Sequence, residues 1–294
     1  MRRRDFMAAP VAAASLAGLA RAQGAALSPK LDRISLMTND FDNLLPEIWD
    51  RSKAVAPKAL DMMDVPELVA DRFHLHHLEA MNMNLLSMEP SYIKKFKARL
   101  DKAKSKVVDL VLELDGPEAR YRGNISACSP DPAMRAKAIE MTKQWIDIAA
   151  MLESPSVMIN QGTGELPKDL APCIEALKTL AAYGKSKKVF IIMENRSRAT
   201  PEQMVGLMKA SGTYANPDIG NFPSEEVRAR GLRLMYPLAR TVSHVTLNRR
   251  FDFVNAIKIS KEMGFKGWYS IETGGPGDPY VEIQQILDAL LVNI

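Results

Sequence analysis

The stretch Val189-Phe190-Ile191-Ile192-Met193-Glu194-Asn195 is an apolar run that ends in a carboxylate and an amide. The run is hydrophobic at every position rather than at every second one, and this pattern is typical of a parallel strand buried on both faces. Similar runs lie at residues 34–37, 107–114, 156–160, 241–245 and 268–271, with a weaker one at 76–80 and a short one at 214–218. The chain is therefore predicted to contain eight buried strands.

Amphipathic segments with apolar residues three or four positions apart lie between these runs. They are predicted to be helices, and the clearest ones span residues 134–152, 173–182, 254–263 and 281–292. Repeated strand–helix units in a chain of 294 residues predict an α/β protein with a (β/α)8 barrel, the TIM barrel fold. The alternative is an open doubly wound sheet, which commonly has a glycine-rich turn after its first strand. Here Met37-Thr38-Asn39-Asp40-Phe41 occupies that position and contains no glycine.

The bulk composition is that of a globular protein. Hydrophobic residues make up 47% of the chain, charged residues 25%, and the formal net charge is +4. Part of this charge lies in the first four residues, so it indicates no nucleic-acid partner.

The amino terminus has the order of regions expected of an export signal. Met1-Arg2-Arg3-Arg4-Asp5-Phe6-Met7 is followed by an alanine-rich stretch and by the small-residue pattern Ala20-Arg21-Ala22. The arginines resemble a twin-arginine signal, and the alternative is an ordinary disordered terminus. We expect residues 1–25 to be a signal peptide read by the twin-arginine (Tat) export machinery and residues 26–294 to form the barrel domain. The expected location is the periplasm or the exterior, without a stable membrane anchor because the apolar stretch is too short to span a bilayer.

Two cysteines, Cys128 and Cys173, remain in the mature chain. They could pair in an oxidising compartment, or they could be two unpaired small apolar residues. The sequence does not give their separation in space.

Four polar residues stand at the predicted carboxyl ends of the last four strands: Glu194, Asp218, His244 and Glu272. Each follows the previous one by about one βα unit, so a barrel would bring them together at the mouth where barrel enzymes keep their active sites. Crowded carboxylates repel and are costly to bury unless a cation joins them. The set predicts one divalent metal ion, with Mn²⁺ preferred and Mg²⁺, Co²⁺ or Zn²⁺ as alternatives.

Such a metal can polarise sugar oxygens and stabilise an enediolate formed by loss of a neighbouring proton. Glu194 and Glu272 are then the candidate catalytic acid and base on opposite faces of the substrate. Taken one at a time, these residues have simpler interpretations. A carboxylate after a strand can cap the next helix, and a single histidine on a strand can be a hydrogen-bonded core residue.

Four segments resemble the xylose isomerase-like TIM barrel family of sugar (phosphate) isomerases and epimerases, and the likeness covers essentially the whole mature chain. They are Ile192-Met193-Glu194-Asn195, Asn216-Pro217-Asp218-Ile219-Gly220-Asn221-Phe222, Val242-Ser243-His244-Val245 and Gly264-Phe265-Lys266-Gly267-Trp268-Tyr269-Ser270-Ile271-Glu272. The resemblance implies that the quartet binds the metal and that the two glutamates transfer protons. It also suggests substrate-binding roles for His76, Glu79, Asn160 and Asn221. The alternative is that these residues only hydrogen-bond to the metal ligands or are polar residues of the surface.

The chain departs from that family at the rim of the barrel. Thr246 stands where members often carry a lysine, and Arg196 with Arg198 replaces the histidine and glycines that often follow the Glu-Asn pair. Arg196 is therefore a candidate substrate-binding residue. These arginines could meet a carboxylate or phosphate, or they could be solvated surface charges.

The function that these features favour is a metal-dependent sugar isomerase or epimerase acting by proton abstraction next to a carbonyl. One alternative keeps the metal site but ends in elimination, as in a keto-sugar glycoside lyase. Another is a carbohydrate-binding barrel without turnover. A nuclease of this fold would need more histidine than the four that the chain contains. The expected partner is a small sugar or sugar derivative, not nucleic acid, and the sequence leaves the oligomeric state open, a homo-oligomer included.

Overall fold

The computed structural model describes residues 29–50, 57–115, 124–161, 164–247, 250–273 and 277–294. In this part of the chain, parallel strands alternate with α-helices. The strands are β1 (Ile34–Met37), β2 (His77–Met81), β3 (Lys106–Leu112), β4 (Ser156–Ile159), β5 (Phe190–Glu194), β6 (Tyr214–Asn216), β7 (Val242–Val245) and β8 (Trp268–Ile271). The helices that follow them in turn are α1 (Val65–Phe73), α2 (Pro90–Lys102), α3 (Pro132–Met151), α4 (Ala171–Ser186), α5 (Pro201–Ser211), α6 (Glu225–Met235), α7 (Phe253–Glu262) and α8 (Pro279–Asn293).

The strands form one sheet that curls into a nearly closed barrel. Their order is β6-β5-β4-β3-β2-β1-β8-β7, so the first strand pairs with both the second and the last. The two edges approach each other at a single bridge between Ala215 and Ala239. The (β/α)8 TIM barrel expected from the sequence is therefore confirmed.

Two layers of side chains fill the molecule because neighbouring residues of a strand point to opposite faces. The larger apolar cluster lies between the strands and the helices. The smaller one lies inside the barrel and is rich in methionine and branched residues, such as Met37, Met158, Ile192 and Val242. A residue two positions after such an inward residue also points into the barrel, and this alternation decides which polar side chains meet at the mouth.

The loops at the carboxyl ends of the strands end in well-capped helices. Side chains at the residue before each of α3, α5, α6, α7 and α8 accept a backbone N–H of the first turn, and these caps are Asp131, Thr200, Ser224, Asp252 and Asp278. An N-cap of this kind stabilises a helix by about 1 kcal/mol. The caps fix where each loop stops and so hold the rim of the barrel mouth.

The strand ends differ from the predicted ones by one or two residues. β6 ends at Asn216 instead of Asp218, because Pro217 has no N–H to donate to the ladder. β2 begins at His77, so His76 lies just before the strand. β5 includes Glu194 as its last residue.

Cys128 and Cys173 form a disulfide, with their sulfur atoms 2.02 Å apart. The bond joins the segment before α3 to the first turn of α4. The proposed signal peptide at residues 1–25 lies outside the described residues. Among the described helices, none combines the length and apolar character needed to cross a bilayer.

Candidate metal centre

The four predicted ligands lie together at the carboxyl end of the barrel. Glu194 is the last residue of β5 and His244 lies in β7, two positions after the inward-facing Ile192 and Val242 respectively. Glu272 directly follows β8, and its N–H donates to the carbonyl of Val245 on β7. The same alternation thus turns these side chains toward the barrel axis.

The ligand atoms form a compact group. One atom from each of Glu194, Asp218, His244 and Glu272 lies within 4.8 Å of all the others. His244 Nδ1 is 3.3 Å from Glu272 Oε2 and 3.7 Å from Glu194 Oε1. Three of the side chains are buried, whereas the Glu272 side chain is 18% exposed and is the one that faces the mouth.

The ring of His244 is held by its other nitrogen. Nε2 lies 2.8 Å from Glu79 Oε1 and 2.8 Å from Asn216 Nδ2. A carboxylate can only accept, and a hydrogen bond to a buried charge is stronger than one to a neutral group. Nε2 therefore carries the proton and donates to Glu79, while the Asn216 amide can donate to Met158 Sδ at 3.0 Å.

Backbone and amide contacts fix Glu194 at the end of β5 and Asp218 in the turn after β6. Asn221 donates to Glu194 Oε1 over 2.8 Å. Asn195 accepts the N–H of Asp218 and donates to its carbonyl, so the amide that follows β5 holds the turn that follows β6. The carboxylate of Asp218 accepts the N–H of Gly220 at 2.6 Å. These bonds make the turn after β6 a rigid support for its carboxylate.

Among the residues that the structure describes, one arginine lies against the carboxylates. Arg196 Nε is 3.1 Å from Glu194 Oε2, and Arg196 Nη1 is 2.8 Å from Glu113 Oε1. Its Nη2 atom is 3.9 Å from Glu272 Oε1. Asn160 also donates to Glu113 Oε1, over 3.1 Å. Glu113 thus positions both Arg196 and Asn160 beside the candidate metal centre.

The crowding of charge shifts the pKa values of the group. Burial alone would raise the pKa of Glu194, but the charge of Arg196 and the contact with His244 hold it at about 2. Burial raises the pKa of Asp218 well above its usual value, and the charges of Glu272 and Glu194 raise it further. Burial disfavours the charged imidazole of His244, yet the charges of Glu79 and Glu272 raise its pKa well above the usual value.

Two further carboxyl groups lie inside the barrel, on the side of His244 that faces away from the candidate ligands. Glu79 and Asp109 are paired across β2 and β3, and both are fully buried. Burial raises the pKa of Asp109 well above its usual value, and the charge of Glu79 raises it further. Asp109 accepts a hydrogen bond from Ser156 at 2.5 Å. Asp109 thus lies beside Glu79, the residue that accepts the hydrogen bond of His244 Nε2.

The donor set fits a divalent cation. His244 Nδ1 is buried and has no hydrogen-bond partner among the described residues, although it faces the carboxylates of Glu194 and Glu272. With the proton on Nε2, the Nδ1 lone pair is available as a ligand. Three carboxylates with one imidazole suit Mn²⁺, Mg²⁺ or Co²⁺ and also permit Zn²⁺.

Among the predicted substrate-binding residues, Asn160, Asn221 and Arg196 lie at the mouth, in contact with Glu113 or Glu194. Glu79, also predicted to bind substrate, is instead fully buried behind His244, where it contacts the imidazole ring.

The structure does not bring His76, a predicted substrate-binding residue, to the mouth of the barrel. This residue precedes β2 at the amino-terminal end of the barrel, where its Nδ1 lies 3.1 Å from the carbonyl of Ala103. A residue at the start of a strand is separated from the carboxyl-end mouth by the length of that strand.

Sequence reasoning also missed two residues. Glu113 follows the apolar run of β3 as Glu194 follows that of β5, so the rule applied to the last four strands would have found it. Asn216 was visible only as part of a turn motif, and its contact with His244 depends on the β6–β7 geometry.

Comparison with known proteins identifies one family and many solved structures with the same fold. A family model described as "Xylose isomerase-like TIM barrel" matches residues 70–290. No curated protein sequence matches the chain significantly. Among solved structures, a xylose isomerase-like TIM barrel protein from Mycobacterium smegmatis in complex with magnesium is 16% identical, with a TM-score of 0.63, and the match covers 89% of this chain and 97% of that one.

Two solved epimerases are similar to a comparable degree. A D-allulose 3-epimerase from Methylomonas sp. in complex with D-allulose is 14% identical, with a TM-score of 0.66 and coverage of 90% of this chain and 98% of that one. An E. coli 3-keto-D-glucoside 4-epimerase is 13% identical, with a TM-score of 0.67 and coverage of 88% and 99%. At these identities the likeness concerns the fold.

Proposed function

Because the chain belongs to the xylose isomerase-like TIM barrel family, we propose that it is a divalent-metal-dependent sugar isomerase or epimerase. The observation that carries this proposal is the cluster of Glu194, Asp218, His244 and Glu272, whose ligand atoms lie within 4.8 Å of one another. The solved epimerases of the same fold support the reaction class, and the magnesium complex of another such barrel supports the metal.

The four residues of the cluster would hold the metal. When bound, the metal would polarise a substrate carbonyl or hydroxyl and stabilise the negative charge that develops when a neighbouring C–H loses its proton. The oxygen-rich donor set favours Mn²⁺, with Mg²⁺, Co²⁺ and Zn²⁺ as alternatives.

The protein's own residues would transfer the protons and position the ligands. Glu272 has the only partly exposed carboxylate of the four and is therefore the better placed to take a proton from a substrate that enters the mouth. Glu194 would serve on the opposite face, where Asn221 and Arg196 fix both of its oxygens. Glu79 would hold His244 in the tautomer that leaves Nδ1 for the metal.

Proton exchange tests the reaction directly. Purified protein loaded with Mn²⁺ is incubated in D2O with D-fructose, D-allulose and a 3-keto-glucoside, and deuterium at the carbon next to the carbonyl is followed by NMR. We expect exchange that Glu272→Gln slows by about 100-fold or more. Glu175→Gln, in an exposed pair with Lys178 on α4, is the matched control and should exchange as the parent does.

The other outcomes are distinct. Release of an aglycone from the keto-glycoside would contradict the isomerase activity and favour a keto-sugar glycoside lyase. Sugar binding without exchange, under any of the four metals, would contradict an enzyme and favour the binding barrel.

We also propose that the protein is exported. The supports are the Arg2-Arg3-Arg4 signal pattern and the Cys128–Cys173 disulfide, which persists in oxidising compartments and is rare in the cytosol. A fusion of residues 1–28 to a reporter should cross the membrane only in cells with a twin-arginine system. Export in cells that lack this system would contradict the Tat route.

A further inference from the structure

We infer that the substrate carries an anionic group, a carboxylate or a phosphate, which binds in an arginine-lined cavity beside the candidate metal centre. The inference rests on the proposed function and narrows its substrate to an acidic sugar. It is carried by the cavity between the loop after β5 and the loop after β6, by the charge of its walls and by the two residues that it shares with the candidate metal centre.

The cavity has a volume of about 550 Å³. This is within the range of small-molecule sites, which hold about 300–1,000 Å³. Its walls include four arginines, Arg196, Arg198, Arg230 and Arg250, and none of the described residues that line it is acidic. Serine, threonine and asparagine side chains supply further polar groups, as a sugar ligand requires.

The positive charge of the cavity is only partly compensated. Arg196 is matched by the buried carboxylates of Glu113 and Glu194. Arg230 pairs with Glu202 at 2.9 Å, but both side chains are about half exposed, so the pair is weak and competes poorly with a ligand.

The other two arginines of the wall are Arg198 and Arg250. Arg198 is exposed, and its side chain has no hydrogen-bond or ion-pair partner among the described residues. Arg250 donates to the backbone carbonyl of Pro223, which holds its guanidinium in the cavity wall. Guanidinium groups bind carboxylates and phosphates by two parallel hydrogen bonds, so an anion is the ligand that these walls recognise best.

The cavity lies next to the candidate metal centre, because two of its lining residues contact a candidate ligand. Arg196 and Asn221 line it, and both also contact Glu194, through Oε2 at 3.1 Å and Oε1 at 2.8 Å respectively. A sugar of ordinary size could therefore have one end near Glu194 and Glu272 and its anionic end among the arginines.

Calorimetric titration of the EDTA-treated, metal-free protein tests the cavity apart from catalysis. The probes are D-glucuronate and D-gluconate as carboxylates, D-glucose 6-phosphate as a phosphate, and D-glucose and sorbitol as neutral counterparts. We expect at least one acidic probe to bind about tenfold tighter than its neutral counterpart, and its dissociation constant to rise with salt. The acidic probe that binds more tightly, carboxylate or phosphate, identifies the anionic group that the cavity prefers.

Two variants and a matched control assign the effect to the cavity. Arg198→Gln should weaken the acidic probe by about tenfold and leave the neutral probe unchanged. Arg230→Gln should weaken it more than Arg233→Gln, because both arginines lie on α6 in exposed ion pairs but only Arg230 lines the cavity. Equal thermal melting of the three variants excludes misfolding as the cause.

The inference is overturned if acidic and neutral probes bind alike, or if Arg198→Gln leaves the acidic preference intact. Its failure is distinguishable from that of the proposed function. Proton exchange on neutral sugars that Arg198→Gln does not change would support the proposed enzyme and contradict the anion site. Arginine-dependent binding of an acidic sugar without any exchange would keep the site and remove the enzyme.

Discussion

The substitution Glu79→Gln should weaken metal binding although Glu79 is not itself a predicted ligand. Glu79 accepts the hydrogen bond of His244 Nε2 at 2.8 Å, and both side chains are fully buried. Glutamine has nearly the same shape, so the packing of the barrel interior is preserved. Its amide can donate as well as accept, which permits the proton to move to Nδ1 and block the ligand position.

The expected magnitude follows from the kind of bond that is lost. A hydrogen bond to a charged group contributes about 1.5–3 kcal/mol, which corresponds to roughly 10- to 100-fold in affinity. Losses of roughly 10- to 100-fold are also typical when the partner behind a metal-binding histidine is removed. We therefore expect the dissociation constant for Mn²⁺ to rise by about 10- to 100-fold.

The assay is competition for Mn²⁺ against a chromophoric chelator, with the parent and Glu79→Gln at the same pH. Glu175→Gln removes one negative charge from the exposed face of α4 and serves as the control, which should bind as the parent does. Parent-like affinity in Glu79→Gln would refute the assignment of the His244 tautomer and of Glu79 as its positioning residue.

Further perturbations test the electrostatics and packing around the barrel. The charges of Glu79 and Glu272 raise the pKa of His244 well above its usual value, so a proton competes with the metal for the imidazole. Apparent Mn²⁺ affinity should therefore keep increasing with pH through and above the usual histidine range near pH 6.5. A chelator titration that is flat with pH would contradict this. Replacing Cys128 and Cys173 by serine opens a 45-residue loop and should lower the free energy of unfolding by about 4 kcal/mol. The melting temperature should then fall by roughly 8–16 °C in calorimetry, and an unchanged melting temperature would contradict the disulfide. Gly267→Ala would push a Cβ into the backbone carbonyl of Thr241, just before β7, and should destabilise the protein by about 1–3 kcal/mol in a denaturant titration. Gly206→Ala, in the open middle of α5, should be neutral or stabilising in the same titration.

The barrel was predictable from sequence because buried parallel strands are apolar at every position. The run that ends in Glu194 and the run at Trp268–Ile271 needed no tertiary information. Strand ends were less predictable, since they depend on which backbone groups find partners; β6 stops before Pro217 for that reason. The carboxyl-end rule also located the quartet, since topology alone brings such positions together.

Contacts that depend on packing were beyond the sequence. His76 and Glu79 lie three residues apart, yet one lies at the amino-terminal end of the barrel and the other touches His244. The location of Arg196 between Glu113 and Glu194 depends on how two βα loops fold over one another. Only the structure shows such cross-loop contacts, because residues 83 positions apart carry no periodic signal.

The most direct test of the account is anomalous X-ray scattering at the manganese edge from crystals of the mature protein grown with Mn²⁺. We predict one strong peak among the carboxylates of Glu194, Asp218 and Glu272 and Nδ1 of His244, and no such peak in crystals of His244→Ala. A parent crystal with no peak at this position, or with its only strong peak elsewhere, would contradict the assignment of the metal centre and with it the proposed reaction.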